Sequence, residues 1–182
     1  MSKSKVVSWF TVLVFALPLA ATLFYLPFAL SDSESRTTVD ASAITVVDGN
    51  TIEWGGELCR LVGIDAPEPA RPGLWHGDQE PWASRATEHL RKHVSEAGEL
   101  EVSVAKDSDT SGRKLIQLYI DGVPAGVRLI EAGLAYGNVD RLGDSGFADD
   151  ARAIRQAFLI AGRPEFQDPD VWRKTHWVNP KE

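Results

Sequence analysis

The chain has 182 residues, with 19 Lys and Arg against 26 Asp and Glu, for a formal net charge of −7. That balance excludes a broad basic surface of the kind that gives most nucleic-acid binders their sequence-independent phosphate affinity. Its one cysteine, Cys59, excludes an intramolecular disulfide.

Residues 6–30 carry no charged side chain and follow Lys3 and Lys5. A spanning helix needs about 20 apolar residues, whereas the apolar core of a signal peptide runs to about 7–15. The length predicts a retained N-terminal transmembrane helix. Pro18 and Pro27 interrupt it and Ala29-Leu30-Ser31 is a small-residue cleavage motif, so a removed signal peptide is the second reading. With lysines before the segment and Asp32 and Glu34 after it, the domain is expected outside the cytoplasm, periplasmic or extracellular, anchored to the membrane or secreted if the segment is cleaved. Without Lys3 and Lys5 that part has 17 basic and 26 acidic residues, a net charge of −9.

The expected organisation is a membrane segment at 1–30, a polar tether at 31–38, one domain at 39–165 and a C-terminal extension at 166–182. A domain of that size has one compact core. Residues 44–47, 51–54 and 58–64 read as three strands in a meander, with Gly55-Gly56 as a hairpin turn. Residues 67–80 hold Pro67, Pro69, Pro72, Gly73 and Gly77 and read as an irregular, mobile flap beside the candidate site. A helix then opens near Pro81, with Trp82, Ala86, Leu90 and Val94 on one stripe and Gly98 as its stop. Residues 100–104 and 115–120 read as strands. Pro124 opens a short helix presenting Val127, Ile130 and Leu134, and a final helix presents Phe147, Ala151, Ile154 and Phe158 before Gly162 and Pro164. This βββ-α-ββ-α-α order predicts an α+β fold, a β-barrel with helices, specifically a five-stranded Greek-key barrel of the OB type.

The chemistry concentrates between residues 46 and 68, where Asp48, Asn50, Arg60, Asp65 and Glu68 lie close in sequence. Oxygen ligands suit a hard divalent cation, and a guanidinium suits a phosphate, so phosphodiester chemistry is the leading expectation. Arg113 follows a polar turn and enters a strand. Arg60 and Asp65 are an odd number of residues apart and would face opposite sides of an unbroken strand. Both serve one site only if the strand breaks or bulges between them, for which Gly63 is the natural place.

Four segments together resemble the staphylococcal nuclease-like, or thermonuclease, family: Val46-Val47-Asp48-Gly49-Asn50-Thr51-Ile52, residues 60–68, Ser111-Gly112-Arg113-Lys114-Leu115, and residues 129–136. The resemblance covers about residues 38–161. It implies a Ca²⁺-dependent phosphodiesterase acting on DNA, RNA or both and leaving 3′-phosphate ends, with nucleic acid as partner and the domain read as a monomer. By the same resemblance Arg60 and Arg113 grip the phosphate, Glu68 activates the water, and Asp65, Asn50 and Asp48 serve the metal. Asn50 departs from the family's usual Asp and lowers the ligand charge on which calcium affinity depends. Ser111 replaces a frequent aromatic. The competing function is an OB-type binding module with impaired catalysis.

The same residues admit plainer readings. Arg60 and Asp65 could be a plain surface ion pair. His89 and His93 have helical zinc spacing without a third ligand, and residues 107–109 lack the rest of a calcium loop. Trp75, in the flap, is the aromatic most suited to stacking on a base.

Overall fold

The computed structural model describes residues 35–178. The apolar segment 6–30, the first half of the tether and the last four residues lie outside the described residues. Among those described, no helix is long and apolar enough to cross a membrane.

Strands β2 (Ile44–Val46), β3 (Thr51–Trp54) and β4 (Glu57–Leu61) form the expected antiparallel meander. Alternation sets their faces: Ile44, Val46, Ile52, Cys59 and Leu61 enter the core, while Arg60 projects from the other side. A two-residue strand, β1 (Thr37–Thr38), precedes them, and β5 (Ile64–Asp65) follows after a break. Beyond α1 (Trp82–Glu96) come β6 (Leu100–Ser108) and β7 (Lys114–Ile120), which pair antiparallel, and β8 (Val123–Pro124) adds to β7. The chain continues through α2 (Ala125–Glu131), β9 (Tyr136–Gly137), α3 (Val139–Leu142), α4 (Ala148–Ala161) and α5 (Pro169–His176).

The sheet order is β1-β6-β7-β4-β3-β2, with β4 and β7 parallel. Five of these strands follow the expected order, but the barrel does not close. The outer edge of β6 is taken by Thr37 and Thr38, opposite Val102 and Glu101, and Val39 N–H bonds Leu100 C=O. With that edge satisfied by β1, the sheet is a curled, open half-barrel, and part of the expected tether is a strand.

Helix α1 lays Ala86, Leu90 and Val94 into the core against β2 and α2, and α4 packs on α2 and β9, adding Ala151, Ile154 and Ala157 to the same core. Gly49 is held by contact and Gly63 by its backbone conformation, φ +82°, together with a close neighbour. A Cβ on Gly49 would lie 2.7 Å from the Ala66 Cβ and 2.9 Å from that of Ala86, and one on Gly63 would lie 2.5 Å from Ile154 Cδ1.

Helix α5 and the chain before it dress the loop at 67–80. Trp75 is buried, donates to Pro69 C=O at 3.1 Å and meets Trp172 edge-on at 6.1 Å. His76 N–H bonds His176 C=O, Val178 N–H bonds Leu74 C=O, and Gln79 Nε2 reaches Gln167 C=O at 2.7 Å. The expected flap is therefore anchored along its length, and Trp75 is a packing residue with no face free for a base. Among the described residues the exposed aromatic is Trp177.

Candidate functional site

Asp48 sits in the turn between β2 and β3. Its Oδ1 accepts the Asn50 N–H at 2.8 Å, which fixes the turn, and its other oxygen pairs with Arg71 from the anchored loop. Asn50 is buried and turned toward the chain after β5. Its Oδ1 accepts the Ala66 N–H at 2.7 Å and its Nδ2 donates to Ala66 C=O at 3.3 Å. The amide thus behaves as an extra rung of backbone pairing. An aspartate could accept the first bond but not donate the second.

β4 ends at Leu61 and β5 starts at Ile64, and between them Gly63 takes φ +82°. The break re-aims the chain. Asp65 pairs with Tyr136 of β9 rather than continuing the large sheet, and Asn138 clamps the corner through Gly63 C=O at 2.9 Å and Ile64 C=O at 2.7 Å. Arg60 Nη2 consequently reaches Asp65 Oδ1 at 3.0 Å despite the odd spacing. The plain ion-pair reading holds to this extent, but Asp65 is only 1% exposed, so the pair is no surface contact.

Asp65 receives two more guanidiniums. Arg141 of α3 donates Nη2 to Oδ2 at 3.0 Å. Arg173 of α5 grips both oxygens, Nη1 to Oδ1 at 3.1 Å and Nη2 to Oδ2 at 2.5 Å, and Nη1 also meets Glu68 Oε1. Burial pushes the Glu68 carboxyl above its usual range, with the Arg173 charge opposing. On Arg173 burial acts to lower the pKa, and the bonds and charges of Asp65 and Glu68 outweigh it, so the cation is held more firmly than usual. The Glu68 backbone is fixed in both directions by Gln79, N–H to Oε1 at 3.0 Å and C=O from Gln79 N–H at 2.8 Å.

Arg113 stands apart from this cluster. Leu115 lies beside Arg60 in the parallel β4–β7 register, so Arg113, just before β7, shares the face of Arg60 about 7 Å further along the strand. Its Nε bonds Asp109 Oδ2 at 2.7 Å, leaving the outer end of the fork directed elsewhere. The structure thus brings Arg60, Asp65 and Glu68 into one charged cluster, ties Asn50 into the backbone next to it, joins Asp48 to Arg71, and sets Arg113 at the start of the neighbouring strand.

Sequence reasoning missed Arg173, Arg141 and Arg71. For Arg173 a signal existed: Asp168 followed by Pro169 is a helix start, and the Asp168 side chain does accept the Asp170 N–H. Arg141 lies on a four-residue helix with no comparable mark.

The donor set does not fit a resident calcium ion. Calcium collects six to eight oxygens; here the carboxylates of Asp48, Asp65 and Glu68 each carry at least one guanidinium, and the Asn50 amide oxygen is bound to Ala66 N–H. Among the described residues no group of three or more acidic, His or Cys side chains is arranged to hold a metal.

The site is thus a cluster of arginines and buried carboxylates at the break of an open, curled sheet. The family model described as staphylococcal nuclease homologue matches residues 58–155, more than half of the chain, and the chain belongs to that family. No curated protein matches it. The matched span includes Arg60, Asp65, Glu68, Arg113 and Arg141 and ends before Arg173.

Proposed function

We propose that this domain hydrolyses phosphodiester bonds in DNA or RNA, with 3′-phosphate ends as the products implied by the family resemblance. The observation that carries the reading is the parallel register of β4 and β7, which sets Arg113, the residue before β7, on the side of the sheet that Arg60 faces, with Glu68 just beyond β5 and joined to Asp65 through Arg173. Arg60 uses Nη2 on Ile64 C=O and Asp65, so Nη1 and Nε are the atoms directed to a phosphate, and Arg113 offers its two Nη groups beyond Asp109. Two guanidiniums so fixed stabilise the charge that grows on the phosphoryl oxygens during attack. Glu68 engages Arg173 through Oε1, leaving Oε2 to take a proton from water as the water oxygen bonds to phosphorus. The P–O bond to the leaving 5′ oxygen breaks, and that oxygen takes a proton from solvent.

Calcium dependence, the expectation from the sequence, is set against the occupied donors of Asp48, Asn50 and Asp65, and no step is routed through a metal. Placement outside the cytoplasm, anchored or secreted, rests on residues 6–30 and remains part of this proposal.

The second reading is a nucleic-acid-binding module without catalysis, favoured by the Arg173 grip on Glu68. A cleavage assay of the full-length chain on labelled single-stranded DNA and RNA, with chelator and with added Ca²⁺, separates them. Cleavage abolished by Arg60→Ala and by Glu68→Gln supports the enzyme. Retained binding with no cleavage under any of these conditions establishes the module.

A further inference from the structure

Arg173 does geometrically what a bound cation would do. Its guanidinium touches both oxygens of Asp65 and one oxygen of Glu68, drawing two buried carboxylates onto one positive centre. A guanidinium is a permanent charge with a planar fork matched to carboxylates, and it keeps its place whatever the divalent-ion concentration.

The local charge then exceeds neutrality. Arg60, Arg141 and Arg173 surround Asp65, and the one further acid in the cluster, Asp170, binds Arg141 at 2.7 Å and Lys174 at 2.7 Å. Four cations thus face three carboxylates, Asp65, Glu68 and Asp170. Such a set disfavours an incoming divalent cation and favours an anion, within a protein that is acidic elsewhere. A cleft beside it is lined by Asp170, Arg173, Lys174 and the exposed Trp177.

We infer that Arg173 takes the place of the divalent ion between Asp65 and Glu68, so that this site binds a phosphodiester anion without metal. The inference rests on the phosphodiester reading above. It explains why Asn50 is compatible with the site: with a guanidinium as resident cation, no anionic ligand is required at that position, and the amide instead bonds Ala66 in both directions.

The test uses the full-length chain as wild type, Arg173→Ala and Arg173→Lys. Calcium is titrated calorimetrically, and a fluorescent oligothymidylate is titrated in EDTA and in Ca²⁺. Expected are no saturable Ca²⁺ binding to the wild type in the millimolar range and the same oligonucleotide affinity in both media. Arg173→Ala should gain saturable Ca²⁺ binding and lose oligonucleotide affinity in EDTA. If that variant fails to fold, Arg173→Lys carries the comparison, since one ammonium lacks the fork that spans both carboxylates. Saturable Ca²⁺ binding by the wild type, or oligonucleotide affinity raised about tenfold or more by Ca²⁺, overturns the inference. Wild type that binds no oligonucleotide in either medium overturns the phosphodiester reading instead, while calorimetry still decides whether Arg173 excludes calcium.

Discussion

Nη1 of Arg173 lies 3.1 Å from Oδ1 of Asp65 and Nη2 lies 2.5 Å from Oδ2, a two-pronged pair between a helix near the C-terminus and a strand 108 residues earlier. Removing one partner of a buried pair costs about 3–5 kcal/mol, chiefly because the other charge is stranded. In Arg173→Ala, Asp65 retains Arg60 and Arg141, so the loss should fall near or below the lower figure. Asp65→Ala takes a shared carboxylate from three guanidiniums at once, leaving Arg60 with only Ile64 C=O, and should cost more. Urea unfolding of both variants checks the order, and equal or reversed costs would contradict it.

Asn50→Asp, which restores the family's usual residue, should weaken the fold. The new carboxylate cannot donate to Ala66 C=O and faces that oxygen with like charge. An unsatisfied buried group costs about 1–3 kcal/mol, and a lowered urea midpoint with an unchanged m-value is the expected result. Unchanged stability would show that the Nδ2 bond contributes nothing.

Gly63→Ala meets two obstacles together: φ +82° is strained for alanine, and the added Cβ meets Ile154 Cδ1 at 2.5 Å. A loss of about 2 kcal/mol or more is expected, and activity should fall with it, because this corner brings Arg60 to Asp65. Differential scanning calorimetry alongside the cleavage assay tests both parts.

Two groups away from the site give stability a pH dependence. Tyr119 O–H donates to buried Asp150 Oδ2 at 2.6 Å. Burial raises the Asp150 carboxyl, with the Tyr119 bond and Arg36 opposing, so the folded chain holds this proton more tightly than the unfolded one. Its contribution is full below the ordinary carboxylate range and is lost as pH rises through the raised value. Tyr119 is also raised, by burial first and then by Asp150, so its contribution persists through neutral pH and is lost as pH climbs past the ordinary tyrosine range. Urea midpoints measured across pH should lose the acid-side slope in Asp150→Asn and the alkaline loss in Tyr119→Phe.

Cys59 is fully buried, its thiol is pushed up by burial, and its Sγ lies 3.6 Å from Glu57 C=O. A thiol-exchange reagent at neutral pH should leave the native chain unlabelled and label it stoichiometrically in denaturant. Rapid native labelling would mean that β4 opens readily.

What the sequence made legible follows the range of each interaction. Local periodicity located the meander, and the stripe of Ala86, Leu90 and Val94 located α1, because alternation and helical spacing act within a few residues. The parity of Arg60 and Asp65 even required a break near Gly63, and the chain does turn there. The closed barrel was misread because two short residues, Thr37 and Thr38, carry no pattern that announces pairing with Val102 and Glu101. The flap was misread because Trp75 finds its partner in Trp172, far along the chain. The acids at Asp48, Asp65 and Glu68 were read as metal ligands while the arginines that answer them, Arg71, Arg141 and Arg173, lay in a loop, a one-turn helix and a distant helix.

The position of α5 bears on how this protein is delimited. The segment shared with the family stops at residue 155, yet the side chain that grips Asp65 and Glu68 comes at 173, and Asp48 and Asn50 come before 58. A chain trimmed to the shared segment would keep Arg60 and Arg113 while leaving two buried carboxylates without their common partner. If Arg173 stands in for the ion as proposed, such a fragment would gain calcium binding that the longer chain does not show, and a comparison confined to the shared residues would miss the side chain that makes the difference.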